Sequence, residues 1–283
     1  MRDKVGIFAP GSNGGVAGSN GGVAVASAVL YYRDELWPNC DVVWFAGSPS
    51  AADIVKHSNI QEVREYDVKK HFLYPACIPG CIPTDIKQCY FPLPWQNPKF
   101  AECSENYAEV PMRTFGIHGR PWHPMVGFSA EEDSNAADFI SSMPFKNTVM
   151  IECTCHSGQS GWDMSMTNKV VAACVRKLGD CNFLFASPGT HVGVMAPFAA
   201  DCSLFSIRQC VPLYNRCSLF VGVSSGISCV TCSWSANADV PRVEFVYLNR
   251  YSTSIISRRQ WAGGHDQSTF FAAMDKVLLE VNK

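Results

Sequence analysis

Residues 204–234 read LFSIRQCVPLYNRCSLFVGVSSGISCVTCSW, and this stretch decides the fold. The run Leu219-Phe220-Val221-Gly222-Val223 is too short for a surface helix and apolar at every position, the pattern of a parallel strand buried on both faces. It stops at Ser224-Ser225-Gly226, and Ile227-Ser228 opens a helix. Two hydroxyls and a glycine at the carboxyl end of a strand gather backbone N–H groups and a helix N-terminus around one point, where anions bind. The same residues also serve as a plain N-cap and turn.

Outward from that strand, the second half alternates strand and helix. Helix is predicted over 130–142 with Ser129 as N-cap and acidic Glu131, Glu132 and Asp133 in its first turn. Strand follows at 148–153, helix at 166–178, strand at 182–186, helix at 208–215, strand at 242–248 and a last helix at 268–282. Three small polar loops therefore stand at the carboxyl ends of strands, over 154–162, 187–191 and 224–228. That is where an open parallel sheet binds ligands. Ser157, Gly158, Gln159 and Ser160 of the first loop, Ser187 of the second, and Ser224, Ser225, Gly226 and Ser228 of the third together describe a pocket for a nucleotide diphosphate.

The first half begins in the same manner. Val5–Ala9 reads as a strand, and the heptapeptide GSNGGVA then occurs twice, over 11–17 and 18–24. Glycines at this density permit close backbone approach to a ligand, but neither a GK[ST] nor a clean GxGxxG is present. Apolar residues at three- and four-residue steps predict one helix over 23–37, ended by Pro38. A strand over 41–46, a short helix over 51–57 and a strand near 60–66 complete a βαβαβ pattern. Residues 72–125 interleave prolines with aromatics and read as a long surface excursion without regular structure.

With 283 residues the chain can bury two ordinary cores, and the expectation is two Rossmann-like, doubly wound α/β lobes, 1–125 and 126–283, with a cleft between them. A net charge of −2 disfavours nucleic acid as a partner. No run approaches the roughly 18 apolar residues of a membrane span, and the amino-terminal residues lack a signal-peptide pattern, so a cytoplasmic location is expected. The 14 cysteines are spread through predicted core elements and read as reduced, buried thiols. The sole CxxC, Cys229–Cys232, could complete a zinc site only across both lobes, and no metal is expected.

Reading order and residues together resemble the two-Rossmann-lobe (GT-B) glycosyltransferases, and among them the ADP-heptose:lipopolysaccharide heptosyltransferase family. Residues 21–30, Trp37-Pro38 and 41–45 are similar to that family's first helix, its terminating aromatic-proline pair and its second strand. Residues 151–162 are similar to its phosphate loop, and 213–229 to its best-marked motif, in which helix and strand end in a donor-phosphate turn. The resemblance implies an acceptor lobe followed by a donor lobe, and transfer of a sugar from a nucleotide-diphosphate donor to a glycan or other hydroxyl acceptor. It implies no cofactor beyond the donor substrate. The chain departs from the family's charges: Gly22 stands where the family has the aspartate that activates the acceptor, Ser224 and Cys229 replace an aspartate and a histidine in the donor turn, and Ser160 replaces a lysine. For the base, His118, His123, Glu102 and Glu105 are the candidates from the first lobe, while Arg208, Arg258 and Arg259 are candidates for holding diphosphate charge. Without an Asp-x-Asp motif, transfer without a divalent metal is expected. A two-lobe sugar-nucleotide epimerase and a non-catalytic nucleotide-sugar-binding protein are the alternatives.

Overall fold

The computed structural model describes residues 2–9, 23–24, 26–65, 82–90, 112–113, 115–117, 119–120, 123–154, 161–223, 225–245, 262–264 and 266–281. The chain divides into two compact units, Met1–Gly127 and Phe128–Lys283, each built on its own parallel sheet.

The first sheet has the order β3-β2-β1-β4, where β1 is Asp3–Phe8, β2 Cys40–Ala46, β3 Glu62–Glu65 and β4 Ile86–Tyr90. All three pairings are parallel. The inner strands are buried almost throughout, as their unbroken apolar runs require, and Phe8 stacks on Phe45 with ring centroids 4.0 Å apart. Helix α2, Pro49–Val55, starts at an N-cap: the Ser48 hydroxyl accepts the Ala51 N–H at 3.2 Å, and Pro49 supplies the fixed φ of a first turn.

Two expectations for this unit are corrected. The helix expected over 23–37 is helical but not one regular α-helix: residues 23, 24 and 26 are α-helical, Ser27–Tyr32 is a 3-10 segment, and one α-turn, α1, Arg33–Leu36, follows. The Ser27 hydroxyl donates to the Ala24 carbonyl three residues back, at 2.5 Å, and that local bond competes with a regular α-turn. The excursion over 72–125 holds β4, which pairs with β1 and closes one side of the sheet. Its short apolar–polar alternation between Pro83 and Pro92 was hidden by the flanking prolines.

The second sheet runs β10-β9-β8-β5-β6-β7. Its strands are β5 Asn147–Glu152, β6 Cys181–Phe185, β7 Phe198–Asp201, β8 Leu219–Val223, β9 Arg242–Phe245 and β10 Ala262–Gly264. Every pairing is parallel. Read from the first of these strands, the spatial order is 3-2-1-4-5-6, the doubly wound order. Strands β7 and β10 were not foreseen. Each is three or four residues long at a sheet edge, below the length at which periodicity carries a signal.

Val149, Ile151, Val221 and Val223 face α4 (Met164–Leu178) and α7 (Gln267–Val281) in one core, with Phe270 and Met274 fully buried. On the opposite face Phe220 meets Tyr214 of α5 (Cys210–Tyr214) edge to face. The entry to β5 is pinned by buried Asn182, whose amide takes both the N–H and the carbonyl of Phe145 and also donates to Thr148 at 3.1 Å. Helix α3, Ala130–Ser141, begins with a reciprocal capping box between Ser129 and Glu132. Helix α4 begins at Asp163, which accepts the Met166 N–H at 2.7 Å, and stops at Gly179, where φ is 75°.

Candidate functional site

Strands β5 and β8 lie side by side, yet the chain leaves β5 through α4 toward β6 and leaves β8 through α6, Gly226–Val230, toward β9. Connections that diverge from adjacent strands open a crevice at their carboxyl ends, the topological switch point of the sheet. Register places Glu152 beside Gly222 there, and Gly222 beside Glu244 on its other side. The three residues share one row and one face. A Cβ at Gly222 would stand 3.0 Å from both the Cβ and the carbonyl oxygen of Glu152, so only glycine lets the two strands carry a glutamate at this point without displacing backbone.

Glu152 is 1% exposed. Its Oε1 accepts the Thr154 N–H at 2.8 Å and the Thr154 hydroxyl at 2.9 Å, and the Ser187 hydroxyl reaches Oε1 at 3.1 Å and Oε2 at 3.2 Å. The two hydroxyl oxygens are themselves 2.6 Å apart. Thr154 and Ser187 are half-buried, so the carboxylate forms the floor of a polar patch whose rim is two hydroxyls.

The turn after β8 satisfies its own polar groups. The Ser225 hydroxyl accepts the N–H groups of Ile227 and Ser228, each at 3.2 Å, and the Ser228 hydroxyl accepts the Ser225 N–H at 2.9 Å. This is a second capping box, and α6 is only five residues long. At the other end of α6, buried Arg242 donates to the carbonyls of Ser228, at 3.2 Å, and Thr231, at 3.1 Å, and pairs with Glu244. Its guanidinium lies 4.7 Å from the centre of the Phe220 ring. A cation at a helix C-terminus completes the last carbonyls and complements the dipole.

Of the expected site residues, Ser187, Ser225, Gly226 and Ser228 stand at the carboxyl edge of the second sheet. His123 belongs to the first unit and is half-buried in the stretch before Gly127. His118, Glu102, Glu105, Ser157, Gly158, Gln159, Ser160, Ser224, Arg258 and Arg259 lie outside the described residues, as does the glycine repeat up to Gly22. Arg208 is corrected. It is 1% exposed and grips both carboxylate oxygens of Glu132, one at 2.6 Å, so it fastens α3 to the segment before α5 rather than offering charge to a ligand. Sequence reading passed over Glu152 because a single glutamate closing an apolar strand carries no motif. It also passed over His191, between β6 and β7, and Asp201, the last residue of β7, whose Nδ1 and Oδ2 stand 3.1 Å apart. The Gly189 N–H foremost, then the Ser203 hydroxyl and N–H, hold the Asp201 carboxyl down at about 2.

No cluster of three or more His, Cys, Asp or Glu residues with metal-binding spacing occurs among the described residues. Among them, no helix is long and apolar enough to cross a membrane. The ten described cysteines are free thiols, and burial pushes Cys217 up to about 12 and Cys181 up to about 11, which makes them packing groups rather than nucleophiles.

No sequence-family model matches the chain, and no curated protein sequence does. Solved structures do. A glycosyl transferase of family 9 from Veillonella parvula superposes with a TM-score of 0.71 at 12% identity, covering 98% of each chain. The ADP-heptose lipopolysaccharide heptosyltransferase II of E. coli gives 0.66 at 11% identity, covering 99% of this chain and all of the other. The iron-containing dodecameric glycosyltransferase TibC of enterotoxigenic E. coli gives 0.58 at 13% identity, covering 99% of this chain and 76% of its own. At these identities the likeness is one of fold, and over nearly its whole length the chain carries the parallel α/β fold found in these glycosyltransferases.

Proposed function

We propose that the protein is a glycosyltransferase of GT-B architecture, moving a sugar from a nucleotide-diphosphate donor to a hydroxyl acceptor. The observation that carries this reading is end-to-end likeness in fold: two glycosyltransferases are matched over 98% and 100% of their chains. In this reading Met1–Gly127 receives the acceptor and Phe128–Lys283 holds the donor, with the cleft between them. The second unit supports the donor role through its switch point, where a doubly wound sheet binds nucleotides.

Inverting transfer needs a base on the acceptor hydroxyl and stabilisation of the departing diphosphate. For the base, His118, His123 and Glu105 are carried forward as first-unit candidates. For the diphosphate, backbone N–H groups at the loops after β5 and β8 are proposed, with Gly226 and the 157–160 segment the expected contacts. The ADP-heptoses and the ADP named in neighbouring structures make ADP the first nucleotide to try.

The test has two stages. A nucleotide that binds the native state raises the melting temperature by mass action, and UDP, GDP, ADP and CMP are compared in this way. The matching nucleotide sugar is then incubated with hydroxyl acceptors, with and without a chelator. Release of nucleoside diphosphate that depends on acceptor and survives chelation is the expected result. Isomerised sugar without acceptor, or tight binding with no turnover of any donor, overturns transferase activity.

A further inference from the structure

The loop after β6 is tied to the strands on both sides of it. The Ser187 hydroxyl reaches Glu152 at the end of β5, and Asp201 at the end of β7 accepts the Gly189 N–H at 2.7 Å. Its interior is fixed as well: the Thr190 hydroxyl donates to the Ser187 carbonyl at 2.6 Å, the Val194 N–H to the His191 carbonyl at 3.2 Å, and the Met195 N–H to Asn168 of α4 at 3.1 Å. His191 therefore stands on ordered backbone. Its Nδ1 is sealed from solvent, makes no aligned hydrogen bond, and lies 3.1 Å from Asp201 Oδ2. Two lone pairs facing each other at that distance repel, so Nδ1 carries a proton. The side chain is 34% exposed although Nδ1 is not, which puts the opening on the Nε2 side of the ring, and Nε2 has no hydrogen-bond partner among the described residues.

With the proton on Nδ1, a neutral imidazole offers Nε2 to solvent as an acceptor. Asp201, its carboxyl held at about 2, contributes a charge of −1 and the imidazole 0 or +1, so the pair is never net positive and gives a phosphate no net attraction. Position agrees with charge. Strand β7 lies two strand spacings, about 10 Å, from β5 and the crevice, and in dinucleotide-binding sheets of this order the ribose contact comes from the region after the second strand, here β6. We infer that His191 reads the nucleoside of the donor, its Nε2 accepting a hydrogen bond from an O–H of the ribose or an N–H of the base, and that Asp201 positions it. This rests on the nucleotide-sugar reading above and adds to it a contact made outside the diphosphate.

His191→Phe keeps a ring and removes the acceptor, while His191→Gln carries an amide oxygen to about the place of Nε2. Neither breaks a side-chain hydrogen bond, so the fold is retained, which an unchanged melting temperature without ligand verifies. Titration calorimetry compares wild type and both variants for ADP, 2′,3′-dideoxy-ADP, IDP, which has a carbonyl in place of the 6-amino group, and inorganic pyrophosphate. If thermal shifts select another base, the corresponding nucleotides replace the adenine set. His191→Phe is expected to weaken ADP by about two- to tenfold, the worth of one hydrogen bond, and to leave pyrophosphate unchanged. His191→Gln is expected to recover most of the loss. A loss that disappears with the dideoxy nucleotide identifies ribose, and one that disappears with IDP identifies the amino group.

Asp201→Asn is expected to weaken ADP by no more than His191→Phe and to add nothing to it in the double variant, whereas a merely structural effect of Asp201 would add. Equal weakening of ADP and pyrophosphate by His191→Phe overturns the inference, because the contact is then to phosphate. So does a loss of the same size with all three nucleotides, which marks packing, or a Gln variant as weak as Phe. If wild type binds ADP and His191→Phe binds it as well or better, the inference falls and the transferase reading stands. Failure of wild type to bind any nucleotide or nucleotide sugar overturns the transferase reading itself.

Discussion

The two sheets use charge in opposite ways. In the first unit Lys4, Glu62, Arg64 and Asp85 join β1, β3 and the turn before β4 through four contacts of 2.7–3.1 Å, all at the surface, with side chains 22–45% exposed. The second unit has one such surface pair, Arg216–Asp133, but adds two that are sunk into the fold, Arg208–Glu132 and Arg242–Glu244, with side chains 1–11% exposed. An exposed network in water contributes little and is screened by salt, whereas a buried pair costs desolvation and then punishes loss of either partner. The first unit can therefore lose a charge cheaply, while the second is locked around α3, α6 and the switch point by charges it cannot lose singly.

The largest effect is expected at Arg242. It holds the carbonyl end of α6 and neutralises Glu244 next to Gly222, so Arg242→Met leaves a carboxylate buried without its cation and takes one donor from each of the Ser228 and Thr231 carbonyls. A cost of about 3–5 kcal/mol is expected in denaturant unfolding of the second unit. The pair Arg242→Met with Glu244→Leu should recover a good part of it, because a packed apolar pair pays no desolvation. A single variant as stable as wild type would break the contrast between the units outright.

Arg208–Glu132 is expected to come next, and pH reads it. The Arg208 guanidinium holds the Glu132 carboxyl at about 2, against an ordinary 4.5. Because the folded value is the lower, the stability from this carboxylate is complete above about pH 4.5 and drains away as pH falls toward 2. Melting curves of wild type and Glu132→Gln from pH 6 to pH 2.5 should start well apart and converge. Curves separated by a constant amount would mean that the glutamate acts by shape and not by charge.

The contrast also explains what the sequence could reveal. Unbroken apolar runs such as Val149–Ile151 and Leu219–Val223 announce buried parallel strands, and Ser129 with Glu132 announces a capped helix, because these signals are local. The strand order is not local. Nothing in 147–152 says that β8 rather than β7 lies against its other edge, and it is that neighbour which turns Glu152 from the end of a strand into the floor of a crevice. The serines after β8 mislead for the same reason. Ser225 and Ser228 carry the residue types of an anion cradle, yet in space their hydroxyls close on each other's backbone. Arg208, an available cation in the sequence, is consumed by Glu132, 76 residues away.

The smallest effect is expected in the first unit, and it sharpens the comparison by its kind as much as by its size. Glu62 accepts from Arg64 and Lys4, and the Arg64 guanidinium foremost holds its carboxyl at about 2. The sign matches that of Glu132, with stability present above about pH 4.5 and lost toward pH 2. Its side chain, however, is 40% exposed, and solvent screens most of the interaction. Glu62→Gln should therefore cost less than about 1 kcal/mol at low salt, and Lys4 and Arg64 keep Asp85 as a partner when it goes. The decisive measurement is the salt series. At 1 M salt, where charges are screened over about 3 Å, the difference between wild type and Glu62→Gln should vanish, while the difference for Arg242→Met persists. If salt erases both, the buried pair is reached by solvent and the units do not differ. If it erases neither, the Glu62 network is held by packing rather than by charge.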